Sequence, residues 1–188
     1  CAQCDAAVWP EQMPPPYDLL KQKIATCDGL VSLLTDRIDA PLMDAAPRLK
    51  VVSNYAVGFN NIDVPSATAR GIAIGNTPGV LTDATADMAF CLLIAAARRV
   101  VEGHQYGQTC QWKTWEPLGH LGQDLVGRTL GVIGMGRIGY ALARRCHLGW
   151  DMQVLYHDTF RSEKADLDLD ARQVDLDTLL HESDFVSV

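Results

Sequence analysis

The chain has 188 residues, 48% of them apolar and 21% charged, the composition of an ordinary globular protein able to build a substantial core. A net charge of -7 with no Lys/Arg cluster argues against nucleic acid or an anionic membrane surface as partner, since binding a polyanion needs a basic face. The longest apolar run, Met88 to Ala97, closes on Arg98 and Arg99 and falls well short of the roughly 20 residues that cross a bilayer.

Short apolar segments alternate with helical patterns from the start: Ala6 to Trp9, then Tyr17 to Ala25; Gly29 to Leu34, then Ala40 to Ala46; Lys50 to Asn54, then Val64 to Arg70; then Ile72 to Gly75. Such βα alternation predicts an α/β fold with a parallel sheet covered by helices. A long helical stretch, Asp83 to Gly107, is apolar nearly all round at Met88, Phe90, Leu92, Leu93 and Ile94, which predicts a helix buried between layers and able to join two domains. After a loop rich in Trp, Pro and Gly that carries Trp112 and Trp115, the alternation resumes with Thr129 to Ile133, Arg137 to Leu148, Met152 to His157, Arg172 to Val174, Leu176 to His181 and Asp184 to Val188.

Six cysteines, Cys1, Cys4, Cys27, Cys91, Cys110 and Cys146, show no framework of paired spacings, and no signal peptide is visible, so a reducing, cytoplasmic setting is expected. Cys1 and Cys4 make one CxxC without a second pair at ligand spacing and read as plain thiols. The acidic run Glu163 to Asp170 has no EF-hand glycine or terminal Glu and reads as a solvated face, so no metal is expected. The chain begins without Met and ends on Val188 inside a strand-like run, which reads as truncation at both ends.

The segment with the clearest chemistry is Gly134-Met135-Gly136-Arg137-Ile138-Gly139, which follows a buried strand and opens a helix. Gly134 permits a tight turn, Gly136 lets the backbone approach a pyrophosphate, and Gly139 lets the helix pack closely on the strand. Free N–H groups and the positive dipole end of that helix then face the phosphates, with Arg137 in reach of one. The helix supports this reading, because Ile138, Leu142 and Cys146 form one apolar row with Arg144 and Arg145 off it. Asp158 ends the next strand, where a carboxylate accepts from ribose hydroxyls and repels the 2′-phosphate of NADP; Arg161 could soften that repulsion. NAD is therefore the expected cofactor, with NADP possible.

Three blocks, Asn54 to Asp63, Asn76 to Asp87 and Gly127 to Gly139, together resemble the D-isomer-specific 2-hydroxyacid dehydrogenases, nearest to the glyoxylate/hydroxypyruvate reductases. The resemblance implies that residues 1–82 are the N-terminal part of a flavodoxin-like substrate-binding domain. It makes residues 83–188 the first part of a Rossmann doubly wound NAD(P)-binding domain that opens with the long helix. In such an arrangement Val57 and Gly58 would donate backbone N–H groups to the substrate carboxylate in an inter-domain cleft. Thr82 would lie near the nicotinamide, although a helix N-cap role is equally compatible with its position. Hydride transfer to a small 2-oxo acid would use a His, a Glu and an Arg that family members carry after the strand ending here at Val188, so no catalytic residue is expected in this chain. His104, His120, His147, His157 and His181 are accordingly read as surface or packing residues.

A homodimer is implied as well, formed through the region of the long helix and the Trp-bearing loop, although core packing accounts equally well for Trp112 and Trp115. The blocks leave open a phosphoglycerate- or formate-dehydrogenase-like specificity, or a non-catalytic nicotinamide-sensing corepressor-like protein.

Overall fold

The computed structural model describes residues 4–188; Cys1, and with it the CxxC pair, lies outside the described residues. The chain divides into two compact units, one ending at Val80 and one spanning Leu81–Val188. The division precedes the expected one at residue 82 because Thr82 already belongs to a helix of the second unit.

The first unit runs α1 (Tyr17–Ile24), β1 (Gly29–Ser32), α2 (Ala40–Asp44), β2 (Val51–Asn54), α3 (Val64–Ala69) and β3 (Ala73–Gly75), with a parallel sheet in the order β1-β2-β3. Two helices are started by carboxylates: Asp39 accepts from the Leu42 N–H at 3.1 Å, and Asp63 from the Ser66 N–H at 2.9 Å. A proline in the first turn of each adds a preset φ at no cost in hydrogen bonds. Ile38, Leu42, Val52 and Ala67 are wholly withdrawn from solvent and form the centre of its core. The strand expected at Ala6 to Trp9 does not form, and Val8 is 85% exposed. Pro10 directly after it, then Pro14 to Pro16, withhold the N–H donors that a ladder would need, and the Trp9 indole instead donates to the Met13 carbonyl at 2.7 Å.

The second unit runs α4 (Thr82–Ala97), α5 (Val100–Gln108), β4 (Thr129–Ile133), α6 (Arg137–Trp150), β5 (Gln153–His157), α7 (Glu163–Leu169), β6 (Arg172–Gln173), α8 (Leu176–Glu182) and β7 (Phe185–Ser187). Its sheet is parallel throughout in the order β6-β5-β4-β7, so β7 lies beside β4, as a doubly wound sheet requires. Leu130 and Val132 of β4 are buried, as expected of a parallel strand covered on both faces. The row on α6 packs as its spacing predicts, with Leu142 and Cys146 fully buried and Ile138 against the same cluster. That burial pushes the Cys146 thiol up to about 12.

The long helix departs from expectation. It breaks at Arg99, which takes the left-handed conformation at φ 53°, and α4 fully buries only Ala86 and Ala97, leaving Met88 60% and Leu92 62% exposed. It packs on the same core cluster as α6 through Ala86, Ala89, Phe90, Leu93 and Ile94, with the Phe90 ring edge-on to Trp150 at 4.8 Å, and Arg145 clamps the join by reaching Asp87 at 2.7 Å and Asp83 at 3.0 Å. Within this unit one face of α4 is covered, and Met88 and Leu92 lie on the uncovered part.

The acidic run after β5 also takes regular form as α7. Ser162 caps it, and Ala165 and Leu169, four residues apart, bury one side. Truncating Leu142 to Ala should lower the unfolding free energy by about 2–5 kcal/mol, the cost of a buried leucine whose site cannot collapse; urea denaturation followed by Trp150 fluorescence measures it.

Candidate dinucleotide site and carboxylate loop

The turn from β4 into α6 is built by bonds that run beyond the paired strands. Gly134, at φ 99°, donates its N–H to the His157 carbonyl at 2.9 Å, and Met135 donates to the Asp158 carboxylate at 2.8 Å. The half-buried Asp158 thus spans from the end of β5 to the glycine turn, and its second oxygen faces the Phe160 N–H at 3.4 Å. Met135, read as a cofactor contact, has its N–H occupied by Asp158 and its side chain in the core.

Beyond Met135 the backbone is free. The N–H groups of Gly136, Arg137, Ile138 and Gly139 have no acceptor among the described residues, and α6 starts at Gly136 without a side-chain cap. Such orphan donors at the positive end of a fourteen-residue helix form a ready anion site. The space above Gly136 is open, since a Cβ there would meet nothing within 4 Å. Gly139 is the opposite case: a Cβ would collide with the Gly134 carbonyl oxygen and press on Val132 at 3.1 Å. Arg137 is exposed, with no carboxylate partner among the described residues.

Two features of this site lie outside the glycine pattern. Gly131 lets α8 close onto β4, because a Cβ there would strike the Ser183 hydroxyl and lie 2.7 Å from Leu179. On the other side of Asp158, the buried Tyr156 hydroxyl accepts from the Ser162 N–H at 2.9 Å and donates to Asp166 at 2.9 Å, and Asp166 also takes Arg161 Nε at 2.6 Å. That guanidinium holds the Asp166 carboxyl below the usual carboxylate range, and burial pushes the Tyr156 phenol up. The only sequence signal was a Tyr inside a buried strand, whose hydroxyl needs a partner. A groove of about 1010 Å³ along Met152 to Leu155 and Arg172 reaches Arg161 and Asp166 but includes no residue of the glycine turn.

In the first unit, Val57 and Gly58 lie in the loop after β2. Their carbonyls are engaged by side-chain amides, Val57 by Asn76 at 2.8 Å and Gly58 by Asn54 at 2.9 Å, while their N–H groups have no acceptor among the described residues. Thr82 is the first residue of α4, and the cap position falls on Leu81 with no side-chain bond, so Thr82 does not act as the N-cap. The chain enters the helix one residue earlier, with the Thr85 N–H bonded to the Leu81 carbonyl at 2.9 Å. Four histidine rings contact backbone carbonyls, His120 with Arg99, His147 with Met152, His157 with Val174 and His181 with Asp177, and His104 is exposed. Asp166 and Asp168 of the acidic run pair with Arg161 and Lys164. No helix among the described residues is long and apolar enough to cross a membrane.

Residues 2–178 match the family described as D-isomer specific 2-hydroxyacid dehydrogenase, catalytic domain. The chain belongs to this family. Among curated members, a glyoxylate reductase from Korarchaeum cryptofilum is 53% identical over 182 residues, covering 96% of this chain and 54% of the relative. A glyoxylate reductase from Thermococcus litoralis is 48% identical over 185 residues, covering 96% of this chain and 56% of the relative. The chain thus spans about half the length of the curated relatives it matches. Among solved structures, the TT0316 protein from Thermus thermophilus superimposes with a TM-score of 0.85 at 44% identity, covering 93% of this chain and 54% of the other. The D-lactate dehydrogenase from Aquifex aeolicus, solved with NAD and lactic acid, superimposes with a TM-score of 0.78 at 25% identity, covering 93% and 50%.

The two glycines that bound the turn should separate in their effects on folding. Gly139→Ala should cost at least about 1–3 kcal/mol through backbone overpacking, whereas Gly136→Ala should cost less than about 1 kcal/mol, the loss of a favourable cap residue. Thermal unfolding of the two variants side by side measures the difference.

Proposed function

We propose that this chain forms the dinucleotide site and the substrate-carboxylate site of an NAD-dependent reductase that converts a small 2-oxo acid, of the glyoxylate or hydroxypyruvate type, to the D-2-hydroxy acid. The observation that carries the reading is the run of unengaged N–H groups from Gly136 to Gly139 at an uncapped helix start, with Asp158 at the end of the adjacent strand. In this reading Gly136, Arg137, Ile138 and Gly139 bind the pyrophosphate, Asp158 accepts from the adenosine ribose, and Thr82 lies toward the nicotinamide. Val57 and Gly58 donate to the substrate carboxylate. The bound nicotinamide supplies the hydride; the residues of this chain bind and orient. The names of the curated relatives favour glyoxylate over phosphoglycerate or formate as substrate class, and an enzyme over a corepressor-like sensor.

NAD is favoured over NADP by charge. Asp158 opposes a 2′-phosphate, and Arg161, the nearby cation that would offset this, is balanced by Asp166. We also read the protein as a cytoplasmic homodimer. Exposed Met88, Leu92, Trp112 and Trp115 supply apolar surface for a second copy, and the free cysteines suit a reducing compartment. Sedimentation of the full-length protein at twice the monomer mass is the expected outcome.

The activity is tested by NADH consumption with glyoxylate, hydroxypyruvate and 3-phosphohydroxypyruvate, using the full-length protein that contains this chain. Turnover of the first two is expected, and inertness toward every small 2-oxo acid would sink the reading. Gly136→Ala should weaken NADH binding by tenfold or more while the protein stays folded, a loss of roughly 1.4 kcal/mol or above. Asp166→Asn should release Arg161 and improve NADPH binding relative to NADH by about two- to fivefold, the range of an exposed ion pair; fluorescence titration with each nucleotide reads it without turnover.

A further inference from the structure

The loop between β2 and α3 carries three successive peptide units that are each held by the carbonyl. The Ala56 carbonyl accepts from the Thr77 N–H at 2.9 Å, the Val57 carbonyl from Asn76 Nδ2 at 2.8 Å, and the Gly58 carbonyl from Asn54 Nδ2 at 2.9 Å. In a planar trans peptide the N–H points opposite to the C=O. Holding these three carbonyls therefore turns the N–H groups of Val57, Gly58 and Phe59 away from the residues that hold them. None of the three has an acceptor among the described residues, and Gly58 and Phe59 are exposed.

The holding groups are themselves fixed. Asn54 is fully buried, and both ends of its side chain are in use: Oδ1 accepts from the Ser32 hydroxyl at 2.8 Å, and Nδ2 also donates to Asn61 Oδ1 at 3.1 Å. Asn61 passes the constraint on by donating to the Leu33 carbonyl at 3.0 Å and the Asp36 carbonyl at 2.9 Å. A buried amide satisfied in this way locks the loop, because any other loop conformation would strand its polar atoms out of water.

We infer that Asn76 and Asn54 are positioning residues that aim a cradle of three backbone donors, Val57, Gly58 and Phe59, at a single carboxylate, with Phe59 as a donor additional to the two assigned above. This rests on the reading of Val57 and Gly58 as the carboxylate site. An ionised carboxylate offers about four lone-pair positions and accepts all three N–H groups as charge-assisted bonds, whereas a neutral amide of the same shape would set its own N–H groups against them. The cradle thus selects the anion, and it does so without a basic side chain of its own.

The test is a titration of the full-length protein, saturated with NADH and labelled with ¹⁵N at Val, Gly and Phe, with oxalate, a carboxylate that is not reduced. The Val57, Gly58 and Phe59 amide resonances should shift together. Asn76 is exposed and remote from the core, so Asn76→Ala should fold; it should weaken oxalate binding about fivefold, the value of one hydrogen bond, with NADH affinity unchanged. Asn76→Asp, which sets a carboxylate against the Val57 carbonyl, should weaken oxalate further. If Val57 and Gly58 shift while Phe59 does not, or if both Asn76 variants bind oxalate as the parent does, the inference is overturned and the carboxylate reading stands. If none of the three amides responds, both fall.

Discussion

The bond from the Met135 N–H to the Asp158 carboxylate organises the second unit. Parallel pairing of β4 with β5 carries the two strands to Ile133 and His157 in register, and the Gly134 bond to His157 followed by the Met135 bond to Asp158 extends that pairing past the last strand residues. The chain must then turn sharply upward into α6, which only the positive φ of Gly134 allows. Everything proposed for the dinucleotide, from the uncapped helix start to the open space over Gly136, follows from where that turn releases the backbone.

The same logic operates on a smaller scale in the first unit. There a buried Asn54 takes the part of the strand-to-turn bond, and the loop it holds presents its N–H groups outward. In both units the side chain that does the organising is polar, fully buried at Asn54 and half-buried at Asp158, while the N–H groups offered to a ligand belong to the backbone. Backbone donors on rigid elements cannot swing away, which suits recognition of small anions by shape and charge together.

Much of this is legible in the amino-acid sequence. The strand Thr129 to Ile133, the glycine turn and the apolar row on α6 are local patterns whose burial followed directly from their spacing. The failures have local causes too. At Ala6 to Trp9, apolar character outweighed the prolines around it. In α4, even hydrophobicity concealed which face the unit covers, and no side-chain pattern announces a left-handed Arg99. For the acidic run, leucines alternating with aspartates obscured the Ser162 cap and the four-residue spacing of Ala165 and Leu169. The Asn54–Asn61–Ser32 network has no local signature, because Ser32 meets Asn54 only when β1 and β2 pair and Asn61 meets it only when the loop after β2 folds back.

One consequence of the turn concerns how such a site can change over evolution. Asp158 serves two masters in the proposed reading, a backbone donor at Met135 and a sugar hydroxyl of the cofactor. An exchange that replaces its carboxylate with a side chain lacking an acceptor oxygen, to admit a phosphorylated ribose, also strips the glycine turn of its tether, so cofactor preference and local rigidity are coupled at this position. A neutralising change at Asp166, by contrast, alters the local field without touching the bond that holds the turn, because Asp166 is tied to Tyr156 and Arg161 instead.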